Sequence, residues 1–225
     1  MPLAGAPLII TRAGVMHISV LGTDNDGGTP AGGPAPGMAG VLLAAGASRR
    51  YGRPKLLEPW RGEPIVRWAA RSLLGGGLDP VVVVVPPGRS IRDALRDCAV
   101  TFVENADEHL GLGHSIACGV SALPPGVAAA LISVADQPLV DAQVVRRLWA
   151  AFRPGGIVVA RFGEHLGNPR LFDRKFFPAL AALTGEVGGQ AVAAHHPDAL
   201  IEVPLSPAIG RDIDRPEDLA ELSET

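Results

Sequence analysis

Aromatic side chains and cysteines are scarce in this chain. Aromatics make up 4% of 225 residues, with a single tyrosine, too few for a stacking platform that binds single-stranded nucleic acid. Two cysteines, Cys98 and Cys118, cannot build a disulfide framework or a four-cysteine zinc site. A reducing compartment, the cytoplasm, is therefore the expected location. Charge is thin as well: 19% of residues are charged, and 20 basic against 23 acidic side chains leave a formal net charge of −3. Without a basic excess, neither nucleic acid nor an anionic membrane surface is an expected partner. No apolar run reaches the roughly 18 residues of a membrane-spanning helix. What the chain does have is apolar residues, 47% of the total, together with 28 glycines and 21 prolines. That apolar fraction can fill a core and excludes global disorder.

The glycines and prolines are unevenly placed. The run Gly22-Thr-Asp-Asn-Asp-Gly-Gly-Thr-Pro-Ala-Gly-Gly-Pro-Ala-Pro-Gly37 loses more chain entropy on ordering than its few apolar side chains return. Residues 1–38 are expected to form a disordered extension, with Met38 a natural first residue of a folded domain covering 39–225. A signal peptide fits poorly, because the early apolar stretch is short, interrupted by Pro7 and Gly14, and lacks a basic start. From Gly40 onward, short apolar runs alternate with helical periodicity. Strands are expected at 41–45, 81–85, 100–103, 128–135, 157–160, 169–172 and 200–203. Helices are expected at 64–74, 89–97, 115–123, 141–152, 176–183, 189–196 and 216–222. Strands apolar on both faces, alternating with helices, specify an α/β fold: three layers, Rossmann-like, around a mostly parallel sheet.

Ligands in such sheets sit beyond the carboxyl ends of the strands. The first of these ends is Ala44-Ala-Gly-Ala-Ser-Arg-Arg-Tyr-Gly-Arg-Pro-Lys55. Gly46 and Gly52 let the backbone turn and approach a ligand, and peptide N–H groups in such a loop can cradle phosphate. Arg49, Arg50, Arg53 and Lys55 place four cations in seven residues. A solvated basic loop is the plain alternative, but the position between a buried strand and a helix favours an anion site. The loop has neither the Gly-Lys-Ser/Thr of a Walker motif nor a Gly-x-Gly-x-x-Gly fingerprint. At a later strand end, Asp136 is either a helix cap or a magnesium ligand. Asp141 is placed to cap the next helix, which frees Asp136 for an oxygen-seeking cation. Asp212-Ile-Asp214-Arg-Pro-Glu-Asp reads as a capped helix start. His195-His196, Cys98 and Cys118 read as structural residues.

The pattern Leu43-Ala-Ala-Gly-x-Ser-x-Arg50-x-Gly52-x-x-Lys55 resembles the signature of the MobA-like nucleotidyltransferases, and the resemblance extends over most of 40–222. The Leu-Ala-Ala-Gly form is similar to the branch of molybdenum cofactor cytidylyltransferases. The resemblance implies transfer of CMP from CTP to the phosphate of molybdenum-bearing molybdopterin, with pyrophosphate released. Arg50 and Lys55 then act on the triphosphate, and Asp136 and Asp214 hold Mg2+. Leu43, Ala44, Ala45, Gly46, Ser48 and Gly52 bind the nucleotide, as do Asn105, Gly113 and Ser115 of the segment resembling the family's Asn…Gly-Met-Ser-x-Ser-Leu. His114 is a further candidate for a base contact. Asn168 and Pro169, in Gly167-Asn-Pro-Arg-Leu-Phe172, belong to the acceptor side.

One departure concerns the acceptor. Where the family carries Gly-Asp-Lys-Gly-Ala-Arg, this chain has Gly185-Glu-Val-Gly-Gly-Gln190, so Val187 and Gln190 remove two cations that would face a phosphorylated pterin. The implied partners are CTP, that pterin and a molybdenum hydroxylase receiving the finished cofactor. Two rival readings stand beside this one. The first is a related transferase using another NTP or acceptor, such as a guanylyltransferase. The second is a non-catalytic cofactor-binding or insertion factor.

Overall fold

Five consecutive valines, all buried, run through the centre of the molecule, and the rest of the architecture follows from the need to cover both of their faces. In a computed structural model of the chain, residues 8–9, 37–46, 48 and 50–223 are described. Most of the segment expected to be a disordered extension, and Arg49 of the first loop, lie outside these residues. In chain order the elements are β1 (Leu8–Ile9), β2 (Met38–Leu43), a small ribbon of β3 (Pro59–Trp60) and β4 (Glu63–Pro64), α1 (Ile65–Gly75), β5 (Val81–Val85), α2 (Ser90–Ala94), β6 (Thr101–Glu104), α3 (Leu112–Ser121), β7 (Ala129–Val134), α4 (Ala142–Ala151), β8 (Ile157–Phe162), β9 (His165–Asp173), α5 (Phe177–Ala181), α6 (Gly189–Ala194), β10 (Leu200–Leu205) and α7 (Pro216–Ser223).

The main sheet has the order β1-β6-β5-β2-β7-β9-β8-β10. All of its strands run parallel except β9, which is antiparallel to both of its neighbours. Side chains alternate across the sheet. Val81, Val83 and Val85 join the core beneath α1 and α4, while Val82 and Val84 join the core beneath α3, α5 and α6. Each buried valine contributes roughly 1.5–3 kcal/mol relative to exposure, so this strand alone anchors both layers. The helix α3 lies close on the sheet because Gly119 has no side chain; a Cβ there would run into Val41 and Val84. The helix α4 starts where expected, with the Asp141 side chain accepting from Val144 N at 2.8 Å.

Two expected elements take a different form, and β1 and the β3–β4 ribbon are additions to the expected set. Only Ser90–Ala94 of the 89–97 segment is α-helical, and the chain turns where Arg67 of α1 takes the Ala94 carbonyl at 2.8 Å. The strand expected at 169–172 is the second half of the nine-residue β9. Gly167 and Pro169 hide its first half from propensity. The pairing of β8 with β9 shifts register between Val159 and Ala160, and Pro169 lies at that irregularity, a site where a strand tolerates proline. Among the described residues, no helix is long and apolar enough to cross a membrane.

Candidate active site

The parallel strands bring their carboxyl ends to one edge of the sheet. The loop after β2, the turn after β7 and the segment after β10 all meet there. Because β9 is reversed, its beginning reaches this edge too. Together they line a cleft of about 940 Å³ that takes in Leu43, Lys55, Asp136, Asn168 and Asp214.

The charged centre is built around Lys55, which opens a short 3-10 turn. Its Nζ donates to Asp136 Oδ2 at 2.7 Å and to Asp214 Oδ1 at 3.3 Å. Burial works against the Lys55 charge, but the Asp136 and Asp214 carboxylates outweigh it and raise its pKa. Arg50 NH1 reaches the other oxygen of Asp214 at 2.7 Å. Backbone contacts set this geometry: Ile213 N donates to the Asp136 carbonyl at 2.9 Å, joining the two carboxylate segments. Asp218 accepts from Asp214 N and Arg215 N at 2.8 and 2.7 Å. The start of α7 is therefore capped by Asp218, and the Asp214 carboxylate is left to face the cleft.

The other expected residues separate into groups. Leu43, Ala45, Gly46, Ser48 and Ser115 line the large cleft. Ala44 lines an adjoining cavity of about 240 Å³ that also touches Gly46 and Ser48. Ser48 has a positive φ of 49°, and its Oγ accepts from Lys55 N at 3.4 Å. Asn168 lines the cleft, whereas Pro169 is buried in the strand. Gly52, Asn105, Gly113 and His114 do not line it. Asn105 is buried and gives its amide to Ser115 Oγ at 3.0 Å while accepting from Asp107 N; it positions Ser115. Gly113 N donates to Gly185 O at 2.9 Å, and a Cβ on Gly113 would lie 2.7 Å from Val187 O. The glycine-rich start of α3 thus packs on the 184–187 segment. Arg53 is drawn away to Glu58 at 2.7 Å. His195 bonds to the Ala191 carbonyl while His196 packs on Phe176, so the two histidines diverge. Burial pushes both cysteine thiols up.

Three cleft residues went unassigned in the sequence. Gln137 Nε2 donates to Asp212 Oδ1 at 2.9 Å. Burial, with Asp136 and Asp214 nearby, pushes the Asp212 carboxyl up to about 6. Asp212 sits inside the 212–218 segment already singled out and Gln137 directly follows Asp136, and that adjacency was the available signal. Arg170, buried on β9 and lining the cleft, sits inside the 167–172 segment placed on the acceptor side, next to the assigned Asn168 and Pro169.

Gly46 is informative by its freedom. A Cβ added there meets nothing within 4 Å, and its φ is not in the left-handed region, so the fold does not require glycine. Gly46→Ala is expected to leave the melting temperature unchanged and raise the nucleotide KM about tenfold, because the methyl enters space a ligand would occupy. Parallel thermal and kinetic measurements check both halves.

The donor set suits a hard divalent cation. Asp136, Asp212 and Asp214 outnumber the neighbouring cations Lys55 and Arg50 in charge. Gln137 Oε1 is buried without a hydrogen-bond partner, a further oxygen acceptor at the same place. Among the described residues, no three metal-ligating side chains converge tightly enough to hold an ion alone. That suits a cation bound by one or two carboxylates and completed by substrate phosphates.

Known proteins are similar to this chain over most of its length. Nicotine blue oxidoreductase of Paenarthrobacter nicotinovorans is 32% identical over 198 residues, covering 83% of this chain and 97% of that protein. Purine catabolism protein PucB of Bacillus subtilis is 31% identical over 173 residues, covering 69% and 80%. The crystal structure of Rv0371c from Mycobacterium tuberculosis H37Rv superposes with a TM-score of 0.72 at 26% identity, covering 84% of this chain and 98% of that one. A structure of Rv0371c in complex with manganese gives 0.69. Residues 40–200 match the model of the MobA-like NTP transferase domain, and the chain belongs to that family.

Proposed function

We propose that the protein transfers CMP from CTP to the terminal phosphate of molybdenum-bearing molybdopterin and releases pyrophosphate. The observation that carries this reading is the clasp of Lys55 on Asp136 and Asp214, with Arg50 beside it, at the mouth of the cleft. A phosphate oxygen of the acceptor attacks the α-phosphorus. The bond from that phosphorus to the bridging oxygen breaks, and pyrophosphate carries away the electron pair. Asp136 and Asp214 would hold Mg2+, which when bound neutralises charge on the triphosphate oxygens.

The remaining work falls to the chain's own groups. The Arg50–Asp214 pair is exposed and worth at most about 1 kcal/mol, so the guanidinium is free to turn onto the leaving phosphates. Lys55 is held in place and supplies a fixed positive charge. Gly46 admits the triphosphate close to the backbone. Gln137 holds Asp212 against the base of the site. Positioning and electrostatics supply catalysis here without a protein nucleophile. The Leu43-Ala-Ala-Gly46 form supports CTP. The exposed apolar residues Leu110, Leu166 and Val187 stand on segments that form or adjoin the cleft rim, which suits an organic acceptor. The loaded cofactor would pass to a molybdenum hydroxylase.

A related transferase with another acceptor is favoured by one observation: the 185–190 loop contributes Glu186 and Gln190 to the cleft and no cation. The test is pyrophosphate release with Mg2+, molybdopterin bearing molybdenum, and each of the four NTPs. CTP is expected to exceed the others by at least about tenfold. Preference for GTP would establish the rival transferase, and no release with any NTP by the folded protein would leave only a binding role.

A further inference from the structure

The cleft contains a cation that no described carboxylate balances. Arg170 is 6% exposed and lines the cleft, yet it pairs with no carboxylate among the described residues. Its NH1 donates to Asn168 Oδ1 at 2.7 Å and its NH2 to the Leu166 carbonyl at 3.4 Å. Both acceptors are neutral, and a guanidinium carries more donors than these bonds use. Burying an unpaired charge is unfavourable, and burial lowers the Arg170 pKa. The arginines that form ion pairs among the described residues are all more exposed than Arg170.

Arg170 has a defined place on the sheet. It precedes Phe172 by two residues on β9, so both side chains leave the same face of the sheet. The Phe172 ring packs against Gly189 at the start of α6. Arg170 lines the same cleft as Glu186 and Gln190 of the 185–190 loop, and as Arg50 and Lys55 of the loop after β2. The 185–190 loop has no cation of its own, and Arg170 is a positive charge in the cleft that it shares.

We propose that Arg170 is the anion-binding residue of the acceptor half of the cleft and receives the phosphate of the group to which the nucleotidyl unit is transferred. This rests on the transferase reading above and adds to it the residue that selects a phosphorylated acceptor. The energetic cost of burying Arg170 in the free protein is recovered when that phosphate binds. Arg is suited to the task because its planar fork meets two phosphate oxygens at once.

The test replaces Arg170 with Met, close in volume and uncharged, and with Lys, which keeps the charge. Inorganic phosphate is titrated calorimetrically into wild type and both variants, with and without a non-hydrolysable CTP analogue and Mg2+. Phosphate affinity is expected to fall about ten- to a hundredfold in Arg170→Met, as for loss of a charge-assisted hydrogen bond, and to recover partly in Arg170→Lys. Affinity for the CTP analogue should stay within about twofold. The melting temperature of ligand-free Arg170→Met should equal or exceed that of wild type, since an uncompensated buried charge has gone.

Unchanged phosphate affinity in a folded Arg170→Met variant would overturn the proposal. A loss confined to the CTP analogue would assign Arg170 to the triphosphate instead and equally overturn it. A melting temperature several degrees lower, with both affinities scaled down together, would make the residue structural. Failure of the analogue to bind wild type at all would count against CTP as donor, while the phosphate titration would still decide the role of Arg170.

Discussion

Asp136→Asn is expected to lower kcat by about two to three orders of magnitude, the cost of removing a principal electrostatic contact from a transition state, and to leave the protein folded. The side chain follows β7 and reaches into the cleft, so it holds little of the core. What ties this turn to the last part of the chain is the Asp136 carbonyl, which accepts from Ile213 N and is untouched by the substitution. Asparagine keeps the shape and one oxygen but removes the charge that pairs with Lys55 and that would draw a divalent cation. Steady-state rates with CTP and Mg2+, measured beside a thermal melt, separate the two effects. Near-normal turnover in the folded variant would remove Asp136 from the mechanism.

Lys55→Met should produce a loss and a gain in the same protein. Turnover is expected to fall at least about a hundredfold, because no neighbouring ammonium can take the same place. Affinity for Mn2+ without nucleotide should rise by about tenfold. In the free protein the ammonium lies between Asp136 and Asp214, where a bound cation would draw on the same oxygens. Two unit charges 4 Å apart interact by about 4 kcal/mol at an effective dielectric of 20, so removing the lysine leaves carboxylates that repel one another. Ligand-free Lys55→Met should therefore melt lower than wild type, and Mn2+ should restore more of its stability than it adds to wild type, by linkage. Isothermal titration with Mn2+ and melts at graded concentrations read both. An unaltered Mn2+ affinity would show that ammonium and metal do not compete for one position.

Much of this arrangement was legible in the chain, and the parts that were not share a cause. The valines of β5 and the apolar run of β7 announce strands covered on both faces, and a parallel sheet fixes where its ligands bind. The first loop and Asp136 could be placed at strand ends for that reason alone. Long-range neighbours could not. Nothing around Gly113 in the sequence signals that its backbone meets Gly185, far along the chain. Asn105 turned inward to Ser115, which no local pattern reveals. Arg53 sits in a run of cations, and only the fold shows that Glu58 diverts it. The first half of β9 was hidden because glycine and proline are poor strand formers, and pairing with β7 and β8 overrides that preference. Arg170 falls in the half of β9 that is legible, but only the fold shows that its side chain is buried and lines the cleft.

The hydrogen bond between Ile213 and the Asp136 carbonyl also bears on how the protein is made. Synthesis delivers the first loop early, with Arg50 and Lys55 already in it. Asp214 follows only after every strand of the sheet has been made. A nascent chain can therefore bury its hydrophobic core before it owns the second carboxylate. Until then Lys55 has one anionic partner of its eventual pair, and Arg50 has no Asp214 to rest on. Any chemistry that needs both carboxylates thus waits until Asp214 has been made.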